Sequence, residues 1–194
     1  MKLIFATLNE NKAIELQKLM GNHIKVESLK ELGFTEEIIE SAHTLEGNSM
    51  LKADAVFKHF KRACFADDTG LEVESLNGAP GVYSARYAGP ACDSEKNMAL
   101  LLKNLSASAN LQARFRTVIT YKSGLQIKQF EGIVEGSIVR ERQGAKGFGY
   151  DPIFKPFGSE LTFGEMTLDE KNTFSHRARA FAKLKDYLLS QISL

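Results

Sequence analysis

The sequence has almost no charge of one sign to spare: its formal net charge is +1 over 194 residues. A general nucleic-acid surface carries a strong basic excess, so none is expected here, and any bound anion must be held by local lysines and arginines. Cysteine is scarce as well, with Cys64 in an apolar run and Cys92 in a polar stretch. Neither has metal-ligand spacing, and the pair suits a reducing cytosol better than a disulfide framework. Long apolar runs are missing. Leu3-Ile4-Phe5-Ala6 is far too short for a signal-peptide core or a membrane span, so the expectation is a cytoplasmic protein without a membrane partner. No internal repeat, low-complexity tract or linker is visible. What is present, 43% hydrophobic and 25% charged residues, is the profile of a globular protein with ample core material. The length suits one domain or two lobes sharing a sheet.

The chain is organised around Phe65-Ala66-Asp67-Asp68-Thr69-Gly70-Leu71-Glu72-Val73. Leu71, Val73 and Leu76 are spaced roughly as a half-buried strand. Aspartate is a poor strand residue and two in a row repel, so a chain that puts Asp67-Asp68 at the end of an apolar segment has a use for the charge. The simplest is a hard cation, Mg²⁺, which takes one or two carboxylates plus substrate phosphates. Asp-Asp-Thr-Gly is equally ordinary turn chemistry.

From the start, Lys2 to Thr7 reads as a strand. Asn9 then caps a helix from Glu10 to Met20, with Ala13, Leu16 and Met20 on one face and Gly21 as the stop. The turn Thr7-Leu8-Asn9-Glu10-Asn11-Lys12 therefore delivers a strand to a helix N-terminus, whose free N–H groups and partial positive charge attract phosphate. Lys12, one turn in, reaches the same anion or is simply solvated. The Walker A pattern is absent. His23 to Leu29 is a second strand, and an irregular acidic stretch holding Glu40 follows. Asn48 to about Arg62 is a helix with Leu51, Ala55 and Phe57 inward and Lys52 near its start. It feeds the strand that ends in the two carboxylates, and in open α/β sheets ligands bind at that end of the strands.

Asn77-Gly78-Ala79-Pro80-Gly81 is a dense turn signal, and Arg86 lies between two tyrosines as a packed surface arginine or an anion ligand. Asp93 or Ser94 caps a helix to about Leu105, with Met98, Leu101, Leu102 and Leu105 inward. Gln112 to Val139 is a β hairpin turning at Ser123-Gly124, with Gly132 and Gly136 as bulges or close backbone approaches. In Lys146-Gly147-Phe148-Gly149-Tyr150-Asp151-Pro152 the Gly-x-Gly is no dinucleotide fingerprint, because no helix can follow across Pro152. The two glycines free the backbone to present the Phe148 ring, either to a nucleobase or as a core aromatic in a turn. Thr167 or Asp169 starts a last helical region with Lys171 exposed. The neighbours His176 and Arg177, fanned roughly 100° apart, are not both expected to face the core.

The set Thr7-x-Asn9-x-x-Lys12, Ala66-Asp67-Asp68-Thr69-Gly70-Leu71, Gly78 to Tyr87, Gly147-Phe148-Gly149-Tyr150-Asp151-Pro152 and Ser175-His176-Arg177 stands in the order seen in one family. By these motifs the chain closely resembles the inosine triphosphate pyrophosphatase family, from Lys2 to about Leu188. Each motif is weak alone, and the ordered set is specific. The resemblance implies Mg²⁺-dependent hydrolysis of ITP, dITP and XTP to monophosphate and pyrophosphate, which cleanses the nucleotide pool. It implies one elongated α/β domain over residues 1–194, with a long mixed central sheet flanked by helices and two lobes with the active-site cleft between them, and a homodimer.

Carried over by motif, Asp68 matches the general base and a metal ligand, and Glu40 the second metal carboxylate. Thr7, Leu8, Asn9, Glu10, Asn11, Lys12 and Lys52 match phosphate-binding positions, and Thr69 joins the substrate-binding set beside Asp68. Phe148, Gly149, Tyr150, Asp151, Lys171, His176 and Arg177 match the base-recognition side. One stretch departs from the pattern: where the usual form has a glutamate directly before the asparagine, this chain has Gly47 before Asn48, with Glu46 one place earlier. A pyrophosphatase of similar fold acting on pyrimidine nucleotides, and a nucleotide sensor that binds without turnover, are the rival readings. The acidic pair speaks against the sensor, since bare anion binding would not place carboxylates near phosphates.

Overall fold

A computed structural model describes residues 2–20, 24–36 and 38–192. In chain order it has β1 (Lys2–Phe5), α1 (Glu10–Met20), β2 (Lys25–Ser28), α2 (Leu45–Phe60), β3 (Cys64–Val73), β4 (Pro80–Gly81), α3 (Ser94–Asn104), β5 (Gln112–Ser123), β6 (Gln126–Ile138), β7 (Phe154–Pro156), α4 (Leu168–Phe174) and α5 (His176–Ile192). The strands form one mixed sheet in the order β2-β1-β3-β5-β6-β7, with β4 added antiparallel to β3. β1 runs parallel to β2 and β3, while β6 and β7 are antiparallel. The fold is thus the mixed α/β sheet with flanking helices that the family resemblance implied. Gly21, read as the stop of the first helix, and His23, read as the start of the second strand, lie outside the described residues. Among the described residues no helix is long and apolar enough to cross a membrane.

The chain divides into two compact units: Met1–Asp68, Thr117–Gly132 and Arg177–Leu194 form the first, Thr69–Arg116 and Ile133–His176 the second. In the first unit β1 and β3 are buried on both faces, as parallel strands covered by helices are. The period-two alternation sends Leu3, Phe5 and Phe65 to a core with Leu16 and Met20 of α1 and Phe181 and Leu184 of α5. It sends Ile4, Ala6, Cys64 and Ala66 to the other face, against Ala53 and Val56 of α2. Phe5 stacks on Phe65 at 4.7 Å between ring centroids. The second unit has its own core, which joins Leu71 and Val73 to Met98 and Leu101 of α3, Phe115, Val134, Ile153, Phe154 and Phe163.

Several expectations are corrected. β3 does not stop at Asp68; it runs unbroken to Val73, so Asp-Asp-Thr-Gly is strand and not turn. The reason lies beyond the acidic pair. Leu71 and Val73 belong to the second core, Leu71 N–H donates to Ser84 Oγ at 2.8 Å, and a Cβ on Gly70 would lie 2.5 Å from Gly81 O. α2 begins at Leu45, where Thr44 caps it by accepting from Gly47 N–H. Its buried stripe is Leu45, Asn48, Ser49, Lys52, Ala53 and Val56, whereas Leu51, expected inside, is exposed. The spacing is helical, but half of the stripe is polar, so a search for apolar residues finds the wrong face. The last helical region is two helices broken at Ser175, the first capped by a reciprocal Thr167–Glu170 box. Arg86 lies over the Tyr83 ring, 5.2 Å from its centroid.

Candidate active site

The alternation of β3 decides what each aspartate meets. Asp67 follows Phe65 onto the face covered by α1 and α5. There its Oδ1 accepts from Lys12 Nζ at 3.1 Å and its Oδ2 pairs with Arg177 Nε at 3.4 Å. Asp68 follows Ala66 onto the α2 face, where its Oδ1 pairs with Lys52 Nζ at 3.3 Å. Lys52 Nζ also donates to Glu40 Oε1 at 3.1 Å, so one ammonium bridges the two carboxylates expected to hold a metal.

The surroundings drive the two aspartates apart. Burial alone would raise both. At Asp67 it is outweighed by Lys12, Arg177 and Lys52, which hold the carboxyl far below the ordinary range. At Asp68 burial prevails over Lys52 and Lys12, helped by the negative charges of Glu40 and Asp67, and its pKa is raised. Lys12 is lowered by burial in spite of Asp67, while Lys52 is raised because Asp68, Glu40 and Asp67 outweigh its burial. Two neighbouring carboxylates, one locked ionised and one more basic than usual, form the kind of pair that divides acid–base labour.

Asp68 Oδ2 is buried and has no hydrogen-bond partner. An anionic oxygen left bare beside a second carboxylate is the donor set a hard cation takes when phosphates complete its shell. Glu40 and Asp68 therefore fit such an ion. Among the described residues no larger group of His, Cys, Asp or Glu is assembled around a metal position.

The turn before α1 folds as its sequence predicts. Thr7 Oγ1 accepts from Asn9 N–H, and Asn9 Oδ1 accepts from the N–H groups of Asn11 and Lys12. Thr7 is buried, while Leu8, Asn9, Glu10 and Asn11 are exposed. Glu10 is engaged by Lys30.

In the second unit Asp151 Oδ2 accepts from Phe148 N–H at 2.8 Å and from Lys171 Nζ at 2.7 Å. A Cβ on Gly147 would fall 2.1 Å from that oxygen, and Gly147 and Gly149 have φ of 75° and 63°, so both glycines are required by the loop. Lys171 Nζ also lies 5.0 Å from the Phe148 ring centroid, within cation–π range. Lys171, expected exposed, is only 3% exposed, because Asp151 and the Phe148 and Phe163 rings take its charge inward. Tyr150 is buried and donates its O–H to Ser84 O, and Thr69 is half-buried in β3. His176 stacks on Phe115 at 4.6 Å.

His176 and Arg177 are both 2% exposed, against expectation. The angle between them turns each to a different buried partner, Phe115 for one and Asp67 for the other. Arg177, grouped by motif with the base-recognition residues, thus stands with Asp67 and Lys12. The structure gathers Lys12, Glu40, Lys52, Asp68 and Arg177 in one unit, and Phe148, Asp151 and Lys171 in the other. Asp67, read from the sequence only as half of the acidic pair, is the hub of its face, paired with Lys12 and Arg177. Asn48 was also missed. It is fully buried on the Lys52 face of α2, and the departure from the motif at Gly47 was the mark beside it.

Sheet, caps and paired charges define an α/β enzyme scaffold with a buried acidic centre beside a helix N-terminus. Comparison with known proteins narrows this. The model of the Ham1 family matches residues 3–187. A dITP/XTP pyrophosphatase of Christiangramia forsetii is 50% identical over 188 residues, 97% of this chain and 99% of that one. A dITP/XTP pyrophosphatase of Bacillus subtilis is 45% identical, covering 95% and 96% of the two chains. The solved structure of the Staphylococcus aureus Ham1 protein superposes with a TM-score of 0.89 at 35% identity, covering 98% of this chain and 100% of that one. A HAM1 protein from Coxiella burnetii superposes with a TM-score of 0.90 at 33% identity, covering 98% and 99%. The chain belongs to the Ham1 family. The resemblance drawn from its motifs is borne out, and so is the enzyme class, a pyrophosphatase, which is the name its curated relatives carry.

Proposed function

We propose that this chain hydrolyses non-standard purine nucleoside triphosphates, dITP, XTP and ITP, to the monophosphate and pyrophosphate, with Mg²⁺ held by Glu40 and Asp68. The observation that carries this reading is the Glu40–Lys52–Asp68 arrangement, with Asp68 Oδ2 buried and unpartnered. The names of the relatives support the substrate class. When bound, Mg²⁺ supplies neutralisation of phosphate charge and eases the deprotonation of water.

The protein's own groups do the rest. Lys12, Lys52 and the N–H groups of the turn before α1 take the phosphate oxygens. Asp68, made more basic by burial, accepts the proton of the attacking water. The water oxygen bonds to the α phosphorus, the bond from that phosphorus to the α–β bridging oxygen breaks, and pyrophosphate leaves with both electrons. Asp67 stays ionised and does not compete for the proton. Phe148, with Lys171 and Asp151 behind it, offers its ring to the base. The same reading takes the protein as a cytoplasmic homodimer, and sedimentation of the purified chain checks the dimer.

The test is a nucleoside triphosphate panel with product analysis, run with and without Mg²⁺ in ¹⁸O-water. ITP should give IMP and pyrophosphate without IDP, with label in IMP. Label in pyrophosphate would place attack at the β phosphorus. IDP with free phosphate, turnover indifferent to Mg²⁺, or a preference for pyrimidine nucleotides would overturn the reading.

A further inference from the structure

The loop that carries Glu40 is pinned from inside α2. Ala42 N–H donates to Asn48 Oδ1 at 2.9 Å, and Asn48 is 0% exposed. A backbone N–H can only donate, so the amide oxygen must face the loop; Nδ2 is left buried without a partner. An unpaired buried donor is a standing cost to the fold, and the bond made by the other end of the same amide gives a reason for retaining it. Gly47 supplies the room. A Cβ there would lie 2.5 Å from Ala42 Cβ and 3.1 Å from Thr44 Oγ1, so only a hydrogen lets the loop close on the helix. Glu40 lies two residues before Ala42. Asn48 lies one turn before Lys52 on the same buried face, so one helix face holds both the loop backbone and, through Lys52, the Glu40 carboxylate.

We propose that Asn48 is a positioning residue for Glu40: its amide clamps the 40–44 loop against α2, in space that Gly47 leaves open, and so sets the Glu40 carboxylate beside Lys52 and Asp68 for a divalent cation. The proposal rests on the reading of Glu40 and Asp68 as cation ligands. Asn48 acts through the loop backbone.

The test is Mn²⁺ binding to the substrate-free protein, read by the paramagnetic resonance of free Mn²⁺, since carboxylate sites that suit Mg²⁺ also suit Mn²⁺. Wild type is compared with Glu40→Gln, Asn48→Ala, Gly47→Ala and the double variant Gly47→Ala/Ala42→Gly, each shown folded by urea unfolding. Glu40→Gln, Asn48→Ala and Gly47→Ala should each weaken binding about 10-fold or more, the range for groups that orient a metal ligand. The double variant should recover most of the loss, because it removes the Cβ that collides. If Asn48→Ala does not fold, Gly47→Ala and its recovery carry the test. Wild-type affinity in Glu40→Gln would remove the cation-ligand reading itself. Weakening in Glu40→Gln with wild-type affinity in both Asn48→Ala and Gly47→Ala would leave that reading standing and overturn the positioning role. So would a loss in Gly47→Ala that Ala42→Gly does not restore.

Discussion

Asp67 and Asp68 are neighbours in β3 that face opposite sides of the sheet, one clamped by Lys12 and Arg177, the other facing Lys52. Adjacent carboxylates on one face would repel; pleating separates them and gives each its own cations. At Asp67 the cations outweigh burial and keep the carboxyl ionised, while at Asp68 burial prevails and makes it more basic.

The two should fail differently. Asp68→Asn keeps the shape but removes the proton acceptor, and turnover should fall at least about 10²-fold. Asp67→Asn removes the counter-charge of Lys12 and Arg177, so its loss should appear mainly as a raised KM. Steady-state kinetics on ITP decides; equal kcat losses at unchanged KM would contradict the division of roles.

Lys171 and Asp151 form a pair whose side chains are 4% and 3% exposed. Asp151→Ala leaves a buried ammonium without its counter-charge, and breaking such a pair costs about 3–5 kcal/mol. Asp151→Leu combined with Lys171→Met removes both charges and should cost clearly less. Urea unfolding of the two variants measures this, and equal losses would show that the pair's charge is not what matters.

The thiols should behave as opposites. Cys92 is exposed and should react with a thiol reagent at neutral pH, while Cys64 should react only after unfolding. Burial pushes the Cys64 thiol from 9.0 up to about 12. The native state therefore favours the protonated form, and the stability this gives is intact below pH 9.0 and is lost as pH rises toward about 12. Cys64→Ser, which does not titrate there, should flatten that decline in alkaline unfolding curves.

The motif resemblance assigns Arg177, buried here against Asp67, to base recognition, where an arginine's donors would suit the 6-keto group of hypoxanthine and xanthine and oppose the 6-amino group of adenine. Leaving a buried polar group unpaired costs about 1–3 kcal/mol, roughly 5- to 150-fold against ATP. Arg177→Ala should cut ITP turnover and narrow the ITP/ATP ratio, with less effect on ITP/GTP. Phe148→Ala should weaken all three about equally. An unchanged ITP/ATP ratio in Arg177→Ala would take base selection away from this arginine.

How far the sequence could be read followed the reach of each signal. The first helix and its cap were legible because Asn9 acts on N–H groups two and three residues away. The course of β3 through its acidic pair was not, because the cations that make it tolerable come from far off: Lys12 is 55 residues from Asp67, Arg177 is 110, and Lys52 is 16 from Asp68. Lys171 was misread for the same reason, its partner Asp151 being 20 residues back. Ordered motifs named the candidate residues as a set, but adjacency in sequence hid that Arg177 keeps company with Asp67 and His176 with Phe115.

The pleat of β3 also makes the acidic pair sensitive to parity. Between the left-handed cap of α2 at Lys61 and the start of β3 at Cys64 there is little slack. One residue inserted or removed there would leave every motif intact on the page and keep the charge count, yet turn Asp67 toward α2 and Asp68 toward α1 and α5. The locked anion and the basic one would exchange places. The junction is also fixed by its residues: Lys61 takes the left-handed cap conformation, Arg62 pairs with Glu27, and Ala63 O accepts from Ile4 N–H. The hairpin tip at Leu125, which is fully exposed, is free to grow or shrink.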